Sequence, residues 1–381
     1  MKSRLLFLTT LLESDKAGGI ALILCAIGSA AVSNSLFGEN YQHFWHTTIV
    51  TKPVEFWIND GLMTVFFLQV GLEIEREIYI GELQDLKKSL FPVLAALGGM
   101  IVPAAIHFFL NKGLPSQNGY GIPMATDIAF SLGVLSLLGN RVPLSFKVFL
   151  TALAIIDDLG AILIIALFYS SRFSLPYLGL ASLLFAVMIA LNRMNVLATW
   201  IYLLLGCVMW FCMHRSGIHA TITGVLVAFA IPFRSGDTQS RSTNLQHRLH
   251  WPVTFVILPL FALANMALAI PATFAHDLFS ANSLGIMLGL LLGKPVGIFV
   301  FTVVGSRVGW CAIPHTLRLP HLLGIGLLAG IGFTMSIFIT LLAFNDPLLI
   351  GSSKIAVLAG SLFSGTAGFG ILRLTLYKAN N

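Results

Sequence analysis

Apolar residues in this chain come in long, nearly unbroken runs rather than alternating with polar ones. Runs of roughly 20 residues, the length a helix needs to cross a hydrocarbon core, fall near 17–36, 58–76, 91–110, 119–138, 146–169, 175–192, 198–214, 217–233, 252–270, 284–304, 321–343 and 355–375. The two longest polar gaps are 37–57 and 234–251. A bilayer interior offers no water, so each spanning segment must satisfy its own backbone, and the runs predict helices. The expected fold is an all-α integral membrane protein of about 12 transmembrane helices, one transmembrane domain over 1–381 with 234–251 as a cytoplasmic loop. The opening stretch, MKSRLLFLTTLLESDK, has a short apolar core and ends in Glu13, Asp15 and Lys16 rather than at a small-residue cleavage site. Residues 1–16 are expected as an amphipathic helix on the cytoplasmic membrane surface.

Composition sharpens this picture. Of 381 residues 57% are hydrophobic and 10% charged, against roughly a quarter charged in soluble domains. With the N-terminus inside, 16 of the 22 Lys and Arg residues fall on the inner side and five (Lys52, Lys112, Arg172, Arg215 and Lys354) on the outer, leaving Lys294 within a span. That asymmetry follows the positive-inside rule and puts both termini in the cytoplasm. The net charge of +6 therefore needs no nucleic acid to explain it, and membrane lipid is the expected surrounding. Cys25, Cys207, Cys212 and Cys311 form no CxxC pair and read as packing thiols.

Four charges stand where charge is expensive. Asp157 and Asp158 lie mid-span in LAIIDDLGAILII, Lys294 lies mid-span in LLGKPVG, and Asp127 follows the breaker-rich GYGIPMAT. Each costs at least about 2.5–3.5 kcal/mol at bilayer depth, and intramembrane ionisable groups generally mark function. The plainer alternative is a structural ion pair beside a neutral carboxylic acid. Groups held away from water can titrate near neutral pH, and carboxylate oxygens are natural ligands for a hard cation. One aspartate cannot favourably hold a proton and a sodium ion together, so competition for the same oxygens is itself an exchange mechanism. Neighbours on a helix point about 100° apart, so one of Asp157 and Asp158 should face an ion path and the other a partner, most plausibly Lys294.

Two spans look broken. Gly119, Gly121 and Pro123 precede Asp127, and Gly324, Gly326, Gly330 and Gly332 interrupt GIGLLAGIGFTMSIF. Glycines in membrane helices also serve close packing. Paired interrupted segments in the two halves of a transporter mark crossed half-helices at an ion site, a pattern known in part from the family named below. Asp127, beside one break, would balance the partial charges of exposed half-helix ends.

ATDIAFSLGVL at 125–135, LAIIDDLGAI at 153–162, GKPVGI at 293–298 and GIGFTMSIFI at 330–339, with VFFLQVGLEIERE at 65–77 and SGIHATITGVL at 216–226, resemble the signature segments of the NhaA family of sodium/proton antiporters. The resemblance runs from about residue 5 to residue 375. It implies a transporter rather than an enzyme: a bacterial inner-membrane exchanger of twelve helices with inverted repeats and two crossed, interrupted helices, expelling Na⁺ or Li⁺ against entering protons without a cofactor. By this resemblance Asp158 is the principal ion ligand and Asp157 also carries protons and pairs with Lys294. Thr126 and Asp127 sit where the broken helices cross. The family's response to pH implies sensing roles for Glu73, Arg76, Glu77, His219, His247 and His250, histidine being the side chain that ordinarily titrates nearest neutrality. Gln246 departs from the pattern, a glutamate being expected there, and it cannot titrate. The 37–57 segment, with its β-branched TTIV, resembles a periplasmic β-hairpin that joins two protomers into a homodimer; no soluble protein partner is implied.

Two other readings use some of the same features. A sodium-coupled symporter for an organic solute could share the fold, but it would usually ligate sodium with amides, hydroxyls and carbonyls. An intramembrane aspartyl protease pairs carboxylates to activate water, but its GxGD signature is missing from this chain.

Overall fold

A computed structural model describes residues 15–81, 84, 86–169, 174–233, 240–270, 277–314 and 316–379. The amphipathic helix expected over 1–16 lies outside the described residues apart from its last two, which begin α1 (Asp15–Ser33). α2 (Gly38–His46) folds back from α1 with a bend of 115°. Two short antiparallel strands follow, β1 (Thr48–Ile49) and β2 (Lys52–Pro53), with Thr48 opposite Pro53 and Ile49 opposite Lys52.

The remainder is helical. A turn at Val54–Phe56 and a π-helical stretch at Trp57–Leu62 lead into α3 (Met63–Tyr79), and α4 covers Leu86–Leu110. α5 (Ile128–Ser136), α6 (Leu144–Phe168), α7 (Leu175–Arg193), α8 (Thr199–Ser216) and α9 (Ile222–Ala230) complete the first part. α10 (Arg241–Pro252) passes through a π-helical turn at Val253–Ile257 into α11 (Leu258–Asn265), and α12 (Ala281–Leu288) passes through another at Gly289–Gly293 into α13 (Lys294–Val308). α14 (Leu319–Ala329), α15 (Phe333–Ala343) and α16 (Pro347–Ala379) close the chain.

Local chemistry sets the boundaries. Pro176 and Pro320 sit in the first turns of α7 and α14, where a missing N–H leaves no bond unmade. α8 and α13 stop at Gly217 and Gly309, both left-handed with φ of 88° and 83°, the conformation that glycine adopts without a Cβ penalty.

Among the described residues six continuous helices are long and apolar enough to cross a bilayer, and two bent pairs qualify jointly, α1 with α2 and α14 with α15. The twelve expected spans include segments that the fold breaks or shortens. Residues 119–138 are divided between a 3-10 helix at Pro115–Met124, an extended Ala125–Asp127 and α5. The 217–233 span holds only the nine residues of α9. The 234–251 stretch, expected as a loop, is helical from Arg241 because the Ser240 hydroxyl accepts the Thr243 N–H (3.2 Å) and caps α10; residues 234–239 lie outside the described residues. Lys354, expected in an outer loop, is buried in α16 and donates to Asn265 Oδ1 (3.3 Å).

The packing is that of a bundle in lipid. Large apolar side chains such as Leu24, Ile27, Leu163 and Leu167 face outward, while glycines let helices meet closely. A Cβ on Gly297 would sit 2.0 Å from the Gly98 carbonyl oxygen, so α4 and α13 touch backbone to backbone beside Lys294.

Candidate ion-binding site

Asp157 and Asp158 lie midway along α6, each 1% exposed. Their helical offset sends them to different surroundings. Asp157 Oδ2 is 2.8 Å from Lys294 Nζ and accepts the Thr126 hydroxyl at 2.7 Å. The ammonium of Lys294, fully buried at the start of α13, also donates to the Met124 carbonyl, and Thr126 Oγ1 lies 2.9 Å from the Ala329 carbonyl. Asp158 instead lines a cavity of about 390 Å³, and its Oδ1 has no hydrogen-bond partner among the described residues.

The polar backbone exposed by the two helix breaks converges here. Asp127 N–H donates to the Ile331 carbonyl (2.7 Å), joining the two helix breaks directly. The Asp127 carboxylate then caps two helices at once: Oδ1 accepts Phe130 N–H of α5 (3.0 Å), and Oδ2 accepts both the N–H (3.1 Å) and the hydroxyl (2.6 Å) of Thr334 in α15. A helix N-terminus carries partial positive charge, so one carboxylate faces two such ends. Hydroxyls satisfy backbone carbonyls nearby, Ser131 on Leu328 (2.8 Å) and Ser336 on Ile122 (2.6 Å). Unmet backbone groups would be costly in this setting.

The cavity leads away from Asp158, Thr126 and Asp127, all buried, toward the exposed His247 and His250 and the half-buried Glu73 and Arg76. Arg76 Nη2 lies 3.1 Å from Glu77 Oε1 and 4.0 Å from Glu73 Oε1, and a ring nitrogen of His250 is 3.5 Å from the Gln69 amide nitrogen. His219 is apart from this group: its Nε2 is 2.9 Å from the Tyr169 carbonyl, and it does not line the cavity. Glu77 stands behind Arg76 rather than on the wall.

Sequence reasoning passed over three contributors. Thr334 is the first hydroxyl residue after the Gly330–Gly332 break, which places it at the start of α15 and within reach of Asp127. Glu75 is 5% exposed and accepts the Ser242 hydroxyl at 2.8 Å, tying α3 to α10. Its position four residues after Gly71 and three after Leu72, both buried, was the available signal. The Met124 carbonyl carries no side-chain signature at all. Among the described residues no group of three or more His, Cys, Asp or Glu side chains is arranged to hold a metal ion. What the site offers is the Asp158 carboxylate on a polar cavity that Asp127 and Glu73 also line, with the Asp157 carboxylate held by an ammonium beside it.

Comparison with known proteins identifies the family of this chain. The profile of the Na⁺/H⁺ antiporter 1 family matches residues 9–372. A Na⁺/H⁺ antiporter NhaA of Cytophaga hutchinsonii is 55% identical over 365 residues, covering 96% of this chain and 94% of its own. One from Dechloromonas aromatica is 54% identical over 372 residues, with 97% and 95% covered. That of Yersinia enterocolitica is 45% identical over 381 residues, with 97% of each chain covered. This chain belongs to the Na⁺/H⁺ antiporter 1 family, the NhaA antiporters.

Proposed function

We propose that this protein is a secondary active transporter that exports Na⁺, or Li⁺, in exchange for entering protons, with Asp158 as the group for which the two ions compete. The observation that carries the reading is the Asp158 carboxylate at the buried end of a polar cavity, with one oxygen unpartnered among the described residues. Such an oxygen is available either to a proton or to a hard cation, and the desolvation of both makes simultaneous occupancy unfavourable.

In the proposed cycle Asp158 and then Asp157 release protons on the cytoplasmic side, and Asp158 takes up Na⁺ through the cavity. A bundle carrying the site rocks against the remaining helices, and protons at the outer face displace the ion. The geometry gives Asp157 a second state: protonation would dissolve its pair with Lys294 and leave Thr126 Oγ1 as its neighbour. Either Asp157 or a titrating Lys294 supplies a second proton, and two protons per Na⁺ make the exchange electrogenic. The membrane potential then contributes about 2.3 kcal/mol per charge per 100 mV. Asp127 offsets the positive ends of α5 and α15 whether or not the ion is present, so the two broken segments remain stable within the membrane.

The finer architecture is part of the same reading: about 12 transmembrane helices in inverted repeats, the broken segments crossing at Asp127, in a bacterial inner membrane with both termini in the cytoplasm. The cytoplasmic mouth would then be formed by Glu73, Arg76, His247 and His250, and its response to pH lacks a titrating group at Gln246. Homodimers would form through the β1–β2 hairpin, where Ile49 of β1 and Val50 of the turn are exposed apolar residues.

The reading is tested in liposomes holding the purified protein and a pH-reporting dye. An outward Na⁺ gradient should drive proton uptake in the native protein and none in Asp158→Asn. Sodium movement without proton movement, with uptake of an organic solute, would replace exchange by symport.

A further inference from the structure

Another pocket, at the opposite end of α5 from Asp127, differs from the ion site in chemistry. It measures about 260 Å³ and is enclosed by Leu137, Leu138 and Arg141, just beyond α5, and by Phe369, Arg373 and Leu376 of α16. The three α16 residues follow one another at intervals of four and three, so a single stripe of the helix forms one wall. Both arginines are exposed, and neither takes part in an ion pair among the described residues. The stretches that supply the pocket's lining, residues 128–156 and 347–381, contain no Asp or Glu. The surroundings are greasy, with Leu137 60%, Leu374 66% and Tyr377 59% exposed.

We propose that this pocket binds the headgroup of an anionic phospholipid, with the acyl chains running along the exposed leucines. Two guanidinium groups present paired N–H donors suited to a phosphodiester. The apolar walls suit the glycerol and upper acyl carbons but would gain nothing from a free anion. The pocket stands at the membrane level where cytoplasmic-leaflet lipids place their phosphates, given the orientation argued above, and basic pockets between membrane helices at that level recognise anionic headgroups. The bound lipid would join the end of α5, the helix capped by Asp127, to α16. Interactions made only by the folded state raise its stability in proportion to occupancy.

The test uses the full-length protein purified in a neutral detergent and stripped of lipid. Its thermal unfolding midpoint is followed on titration with phosphatidylglycerol, with phosphatidylcholine of the same chains, and with inorganic phosphate. Phosphatidylglycerol should raise the midpoint, the other two should not, and the rise should be lost in R141Q/R373Q. Should the double variant fold poorly, R373Q alone should lose most of the rise, and native mass spectrometry should count one anionic lipid fewer per chain. A rise of equal size in the variant, or one reproduced by inorganic phosphate, would overturn the proposal. Since the readout is lipid-dependent stability, loss of Na⁺/H⁺ exchange in a separate assay would count against the transport reading and leave this result unaffected.

Discussion

At Asp157 and Asp158 two adjacent carboxylates are given different work by one helical step. Asp157 is held through Oδ2 by an ammonium and a hydroxyl, whereas Asp158 lines the cavity. Removing one partner of a buried ion pair leaves the other uncompensated, at a cost of about 3–5 kcal/mol. Lys294→Ala should therefore lower thermal stability in detergent markedly, and Asp157→Asn in the same background should restore much of the loss. Equal stability of Lys294→Ala and the native protein would mean that the pair is not formed as described. The exchange chemistry at Lys294 is a separate matter: electrogenic exchange persisting in Lys294→Gln would leave Asp157 as the carrier of the second proton. The four intramembrane charges were legible in the sequence because charge at bilayer depth is conspicuous against apolar runs. The partners contributed by backbone, the Met124 and Ala329 carbonyls, were not, since a carbonyl becomes an available ligand only where a helix breaks.

Helical elements were legible in kind but less so in extent. An apolar run announces a span, yet it does not disclose where the helix inside it stops. In 119–138 the extended Ala125–Asp127 is stabilised by Ile331 and Thr334, more than 200 residues later in the chain, so the break depends on contacts that local pattern does not contain. α10 was missed for the opposite reason: it is short and polar, and its cap at Ser240 is a single residue. His219 fell outside the cavity because the connection between α8 and α9 places it on the Tyr169 carbonyl. A close backbone approach of two elements, α4 on α13 at Gly98 and Gly297, lies about one turn from Lys294. Gly297→Val should force these helices apart and cost both yield and exchange, since the obstructing atoms are backbone that cannot rotate away. Gly370→Ala in α16, where an added Cβ meets nothing within 4 Å, should be tolerated in the same assays. Native exchange in Gly297→Val would show that the close contact is dispensable.

For the whole molecule, the account joins an ion path, a pair of interrupted segments and an apolar exterior into one exchanger. If β1 and β2 join two protomers, replacing residues 48–53 by a short glycine–serine linker should shift the detergent-solubilised protein from dimer to monomer in light scattering while leaving exchange intact; an unchanged dimer would place the interface elsewhere. The family resemblance was readable across nearly the whole chain because its motifs surround the charges and breaks that the mechanism uses. The packing around them, including the pocket between Arg141 and Arg373, was not readable, because it depends on how α5 and α16 meet. The central claim, that Asp158 exchanges Na⁺ for H⁺, is tested most directly in everted vesicles from cells lacking their own sodium exporters. Respiration acidifies the interior, a fluorescent dye reports ΔpH, and NaCl, LiCl or KCl is added at several pH values to vesicles holding native protein or Asp158→Asn. The account predicts that Na⁺ and Li⁺ collapse ΔpH with the native protein and leave it standing with Asp158→Asn present at the same level. Collapse of equal size in both would contradict the role of Asp158, and no collapse at any pH with inserted native protein would contradict exchange itself.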